Sequence, residues 1–482
     1  MYRVALLALC IAVPGLACSS HRSAGSWPTA NGSNAGTRAT EDTELRAKTA
    51  PTLAVRWRFR LPKRPNSFGA TTANPVIVGD TVYVQDSSSS VFALDASTGK
   101  LRWNRREAAN NDGPNGVAVA GDRLFTETDT TAFALDARTG ARLWERRLVD
   151  VHEQFVGIPP VTDRGRVYYA TQGFPPGGRG AVYALSAKTG KVLWRFDTID
   201  RPWVHRDAGG GGAWYPVSVD AAGNVYVGTA NPAPWGGTPQ FPNGALFPGP
   251  ARWTDSLVVL DGRTGRLRWA DQVTAHDVRD YDFQASPILV GGVVYGAGKA
   301  GRVVAWDRRT HARLWSRAVG THLHDLGPLP RRTVPVCPGH LGGVETPMAF
   351  AGGLLFVPVV ELCSRESAVT SESAFARDPA EGRGVLYALD AKTGKTVWRR
   401  PLAAPPFGCA TVANDAVIVP TYDGRLTIYA AGSGQRLWRA QLPNGNNSCP
   451  AVGRNLLVVS AGAPYPGLTD PVAEVVAYEV RG

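Results

Sequence analysis

Short runs of alternating apolar and polar residues, broken by glycine turns, recur along the whole chain. VFALDASTGKLRW (91–103), AFALDARTGARLW (132–144), VYALSAKTGKVLW (182–194) and LVVLDGRTGRLRW (257–269) open the series. VVAWDRRTHARLW (303–315), LYALDAKTGKTVW (386–398) and LTIYAAGSGQRLW (426–438) continue it. Each reads as a strand of period two, a tight turn of the Asp-x-x-Thr-Gly kind, and a second short strand ending in Trp. Glycine supplies the positive φ of such a turn, and the Asp and Thr side chains bind its amides. Another hairpin, such as NPVIVGDTVYVQD (74–86), precedes most units. Two hairpins make a four-stranded antiparallel unit, and repeats of this size and composition are propeller blades.

The closing tryptophans are Trp57, Trp103, Trp144, Trp194, Trp269, Trp315, Trp398 and Trp438, which gives eight units. Trp57 lies on a lone strand, 53–61, with no turn before it, and VAEVVAYEV (472–480) is a strand with no Trp after it. Pairing the first strand with the last closes the ring and removes both exposed edges. The expectation is therefore all-β: one eight-bladed β-propeller over residues 51–482, its eight tryptophans buried between blades. The intervals 194–269 and 315–398 are far longer than the rest, and insertions into a propeller emerge as loops over one face, where function resides.

Composition agrees with this picture. Across 482 residues, 54 Gly and 36 Pro favour turns over long helices, and 14 Trp supply ample core. Residues 1–18 read as a signal peptide: Arg3, an apolar run at 4–13, then small residues before Cys18. That run is too short to span a bilayer. Ala17-Cys18 is similar to a bacterial lipoprotein cleavage site, and 19–26 is a polar tether within a lead-in, 19–50. The expectation is export to the cell envelope or periplasm, with lipid at Cys18 as the membrane attachment; ordinary signal cleavage is the alternative. Cys337, Cys363, Cys409 and Cys449 remain, enough for two disulfides with three possible connectivities. Cys409 and Cys449 occupy equivalent positions of successive repeats, and Cys337 and Cys363 flank one insertion hairpin. These are the expected pairs, against four buried free thiols. The formal charge of +12 is spread over repeated turns rather than gathered in a stripe, which argues against nucleic acid.

One stretch departs from the basic background. HDVRDYDFQ (276–284) sets Asp277, Asp280 and Asp282 beside His276 and Tyr281. Mutually repelling carboxylates converge only where a cation or a basic group compensates them. A solvated loop, with His276 merely binding backbone, is the plainer alternative.

The unit A-x-D-x-x-T-G-x-x-x-W resembles the tryptophan-docking repeat of quinoproteins, the alcohol dehydrogenases that use pyrroloquinoline quinone (PQQ). The same blades occur in non-catalytic lipoproteins, including the propeller subunit of the outer-membrane β-barrel assembly machinery. Four stretches resemble the dehydrogenases more specifically: SWPTANGSNAGTR (26–38), GGGAWYPVSVDAAGNVYVGTANPAPW (210–235), TAHDVRDYDFQASPIL (274–289) and GAGKAGRVVAWDRRT (296–310). The resemblance implies that Trp214 is the flat floor for the quinone and that Asn231 and Asp280 bind Ca²⁺ or a lanthanide. Asp282 would be the extra ligand of the lanthanide-using branch. Asp280 would also take the substrate proton, and Lys299 would contact the quinone oxygen. It further implies a small alcohol or aldehyde substrate and an electron acceptor in the envelope. Three departures stand out. The stretch ATQGFPPGGRGAVYAL (170–185) carries no acid where the family has a metal-binding Glu, and Gln172 is too loosely aligned to replace it. EAANNDGPNGVAV (107–119) lacks the adjacent-cysteine disulfide, and Asn115 stands where an arginine is expected. These departures favour the other reading, a lipid-anchored scaffold that binds an envelope protein or polymer.

Overall fold

The computed structural model describes residues 25–62, 69–111, 113–149, 154–174, 177–199, 209–244, 249–370, 378–468 and 472–481. The leader, Cys10 and Cys18 lie outside them. Among the described residues no helix is long and apolar enough to cross a membrane.

Eight antiparallel sheets follow one another around a ring. Blade 1 joins the two ends of the chain: Leu53–Arg60 pairs antiparallel with Glu474–Val480, which continues to Leu456–Ala461 and Ala451–Val452. Blades 2 to 8 then occupy 76–105, 118–147, 154–197, 218–272, 288–318, 349–402 and 411–441. In each, the strands nearest the axis are almost wholly buried, whereas the last strand, which carries the Trp, alternates outward into solvent. The ring is closed by its own termini, as the repeat count predicts.

The repeat residues hold the blades together. Asp95 Oδ1 accepts hydrogen bonds from the Ser97 and Thr98 amides and the Thr98 hydroxyl, and Asp136, Asp261 and Asp390 serve their turns similarly. Six of the eight docking Trp then reach across to the next turn. The indole N–H groups of Trp57, Trp103, Trp144 and Trp194 donate to the carbonyls of Ala96, Ala137, Ala187 and Gly262, and those of Trp315 and Trp398 to Ala391 and Ala431, at 2.8–3.1 Å. The turn glycine lies flat against the ring: a Cβ on Gly265 would come within 2.7 Å of Trp194. Only Trp57, Trp144, Trp194 and Trp398 are buried; Trp103, Trp269, Trp315 and Trp438 are half-buried. They sit on the outermost strand, where the next blade covers one ring face and solvent reaches the other edge.

Both expected disulfides are present, Cys337–Cys363 and Cys409–Cys449, with Cα separations of 4.6 and 5.0 Å. The two long insertions fold over one end of the ring and touch each other. Asn243 exchanges side-chain hydrogen bonds with the Leu329 backbone, and its amide donates to the Ala368 carbonyl. Val278, Leu329, Val334, Val336 and Ala368 form a small apolar core there.

Candidate active site

The acidic segment lies beneath these insertions and is held on every side. Asp277 accepts from the Arg279 and Tyr281 amides at 2.8 and 2.5 Å, so its carboxylate ties the turn, as a capping role requires. Arg279 donates to the His324 and Gly327 carbonyls, and the Tyr281 hydroxyl donates to that of Pro338. His276 binds backbone: its ring nitrogens lie 2.8 and 3.3 Å from the Asn243 and Gly249 carbonyls. The tied turn leaves Asp280 at φ 64°, a left-handed conformation that Asp tolerates better than most residues.

Asp280 and Asp282 converge on one ammonium. Lys299 Nζ lies 2.8 Å from Asp280 Oδ2 and 2.6 Å from Asp282 Oδ2. The other oxygen of Asp282 accepts from the Asn231 amide at 2.8 Å. The Lys299 amide donates to the Asp282 carbonyl, an approach so close that a Cβ on the neighbouring Gly298 would strike that oxygen. Asn231 donates its Nδ2 to the Pro232 carbonyl, which turns its side-chain oxygen the other way, available to a cation.

Trp214 is linked to the group through the main chain of its neighbours. The amides of Gly211 and Ala230 donate to the carbonyls of Asn231 and Gly212, and Trp214 follows two residues later. Its ring packs at an angle against Phe155 and Phe174, with centroids 5.8 and 6.4 Å away, and its indole N–H is buried without an acceptor. Gln172, within the stretch that carries no acid, donates its amide to the Ala213 carbonyl, beside Trp214. Asn115 bonds to Thr72 and the Asp86 carbonyl.

The site is short of positive charge. Burial pushes Asp280 well above the ordinary carboxylate range; Lys299 opposes this and Asp282 adds to it. Burial alone would lower Lys299, but Asp280, Asp282 and Glu345 outweigh it and hold the ammonium well above its usual value. Two carboxylates sharing one ammonium leave Asp280 basic. Asp277 is pushed up to about 6, mainly by burial.

Two neighbours escape a reading of the sequence. Glu345, buried near Lys299 and raised to about 7 by burial, accepts from Gln284 at 2.7 Å. Asp255, fully buried, is raised well above its usual range by burial and then by Asp277 and Asp282. In WTDSLVVL a lone Asp before a strand reads as a turn residue, and Glu345 in GVETP gives no more signal. No three His, Cys, Asp or Glu side chains among the described residues already surround one point as a metal would require. A groove of about 660 Å³ lies elsewhere, on the seam between blades 5 and 6, lined by Asp261, Trp269, Arg308 and His311.

Comparison with known proteins gives this geometry a family. Residues 27–300 match the model for the β-propeller domain of glucose/ethanol/alcohol dehydrogenases, the PQQ type. Since this match spans more than half of the chain, the protein belongs to that family. It is a PQQ-dependent alcohol dehydrogenase-like propeller. Quinohemoprotein alcohol dehydrogenase of Comamonas testosteroni is 27% identical over 520 aligned residues, covering 90% of this chain and 72% of the relative. A crystal structure of the Comamonas testosteroni enzyme superposes with a TM-score of 0.82 at 23% identity, covering 96% of this chain and 82% of that one. Lanthanide-dependent methanol dehydrogenase of Methylacidiphilum fumariolicum is 26% identical over 509 residues, 87% of this chain and 81% of the relative. Residues 333–465 also match the model of the outer membrane protein assembly factor BamB. That match lies beyond Trp214, Asn231, Asp280, Asp282 and Lys299, and the scaffold reading is not supported.

Proposed function

We propose that this chain is an exported PQQ-dependent dehydrogenase that oxidises a small alcohol or aldehyde at the Asp280–Asp282–Lys299 cluster. The observation that carries the reading is the convergence of Asp280 and Asp282 on Lys299 beside Asn231, in a buried site covered by both insertions. The donor set suits the group: Asn231, Asp280 and Asp282 offer the hard oxygen ligands that Ca²⁺ or a lanthanide takes. Trp214 offers an aromatic face and an N–H without an acceptor, suited to a planar, oxygen-rich molecule.

When bound, the quinone supplies the hydride acceptor and the cation polarises it. The chain supplies the rest. Asp280, kept basic by burial and by Asp282, accepts the substrate hydroxyl proton as the carbinol hydrogen leaves with its electron pair. Lys299 holds positive charge where the acceptor oxygen becomes negative. Asn231 and Asp282 hold the ligand frame, and the paired insertions keep water from it. Export, lipid attachment at Cys18 and an envelope electron acceptor complete the proposal.

The test is reconstitution of the purified chain with PQQ and Ca²⁺ or a light lanthanide. Quinone absorbance should elute with the protein through gel filtration, and an artificial dye should be reduced when alcohols are added. Asp280→Ala should abolish dye reduction and metal-dependent quinone retention. A parent protein that never retains PQQ would overturn the proposal.

A further inference from the structure

Asp255 is a second acid that the site has not used. It stands at the entrance of Ser256–Asp261 in blade 5, and its amide donates to the Ala230 carbonyl at 3.0 Å. The next residue, Asn231, gives its own amide to Asp282. One strand pair therefore presents Asp255, Asn231 and the contact to Asp282. The Asp255 side chain is 0% exposed, and neither carboxylate oxygen accepts a well-formed hydrogen bond: the adjacent Thr254 hydroxyl, the one polar side chain that acts on it, donates to the Ala251 carbonyl instead. The charges it feels are those of Asp277, Asp282 and Asp280, all acidic. Lys299 is already held by Asp280 and Asp282.

Such a group has no settled state in the bare chain. An unpaired buried anion is strongly unfavourable, and a protonated carboxyl would still lack an acceptor for its O–H. A bound cation answers both problems. We propose that Asp255 is a ligand of the site's metal ion, supplying the anionic oxygen donor that residues 170–185 do not provide. The proposal rests on the metal–quinone reading above. It gives this chain a donor set of Asp255, Asn231, Asp280 and Asp282, which the ion itself must draw together because no three of the acids surround one point without it, with the acid moved from blade 4 to blade 5.

The experiment is a titration of the PQQ-free protein with terbium chloride, read as Tb³⁺ luminescence sensitised by tryptophan. Parent, Asp255→Asn, Asp280→Asn and Asp271→Asn are compared, the last altering a carboxylate on the outer strand of blade 5. The parent and Asp271→Asn should bind alike, whereas Asp255→Asn should weaken binding at least tenfold. The metal-free Asp255→Asn protein should melt no lower than the parent, because it removes a buried carboxyl surrounded only by other acids; this shows that it is folded. If Asp255→Asn binds terbium as tightly as the parent while Asp280→Asn does not, the role of Asp255 is wrong and the metal–quinone reading stands. If the parent binds no terbium and retains no PQQ, both fall.

Discussion

Lys299 shows how much one side chain decides at this site. A single ammonium faces Asp280 and Asp282, with Glu345 nearby, so the cluster retains excess negative charge that only a proton or a cation can offset. Glu366, on the insertion strand Ser364–Glu366, registers the same shortage away from the proposed ligands. Burial raises it from 4.5 to about 7, although the Ser364 hydroxyl donates to it. The folded chain therefore binds this proton more tightly than the unfolded one between pH 4.5 and about 7. Its contribution is complete below 4.5 and is lost as the pH rises through 7, so stability should fall across that window. Glu366→Gln should flatten this part of a melting-temperature profile; an unchanged slope would assign the dependence to other groups. Resemblance in the sequence pointed to Asp280, Asp282, Asn231 and Lys299, because each stands in a recognisable block. Asp255, Glu345 and Glu366 carry no such mark. Their character comes from burial beside other acids, which only the fold creates.

At the scale of the hairpin, the sequence was more explicit, because strand period, turn residues and Trp occur together in each unit. Trp194→Ala should destabilise by about 3–5 kcal/mol, since it empties a packed seam and leaves the Gly262 carbonyl only the long bond from the Tyr168 hydroxyl, at 3.4 Å. Chemical denaturation would measure this, and a loss below about 1 kcal/mol would mean the seam depends little on the ring. One turn breaks the rule in an instructive way. His311 occupies the usual glycine position at φ 64°, and its ring stacks on Trp269 with a centroid distance of 4.7 Å. The stack offsets the left-handed strain of a non-glycine residue. His311→Ala keeps the strain and loses the stack, whereas His311→Gly loses both. The alanine variant should thus melt below the glycine variant, and the reverse order would remove the strain from the account. Half-burial of Trp103, Trp269, Trp315 and Trp438 was not legible, because the repeat states which ring docks but not how far the next blade overhangs it.

The whole ring depends on a segment with almost no pattern of its own. Residues 27–44 run along the innermost strands and bond to each blade in turn. Trp27 exchanges hydrogen bonds with Ile77 of blade 2, Pro28 accepts from Val119 of blade 3, and Asn34 serves Thr162 and Val219 of blades 4 and 5. Ala35, Thr37 and Arg38 accept from Leu289, Phe350 and Val412 of blades 6, 7 and 8, and Glu44 donates to Arg454 of blade 1. These are largely main-chain contacts, which explains why hydrophobic periodicity gave no hint of them. Arg38 anchors the segment: its fully buried guanidinium donates to the carbonyls of Ala30, Ala410 and Pro450 and to the Asn31 and Thr411 side chains, at 2.7–3.0 Å. Burial without a carboxylate partner lowers it to about 9, yet it remains charged at neutral pH. Arg38→Ala would strand those acceptors and should cost on the order of 4 kcal/mol. Hydrogen exchange would show where the loss falls. The amides of Val412 and Phe350, which bond to residues 38 and 37, should exchange fastest relative to the parent, with Leu289 and Val219 affected less and Val119 least. Uniform acceleration across the five amides would instead mean that the ring opens globally and that Arg38 is not a local anchor.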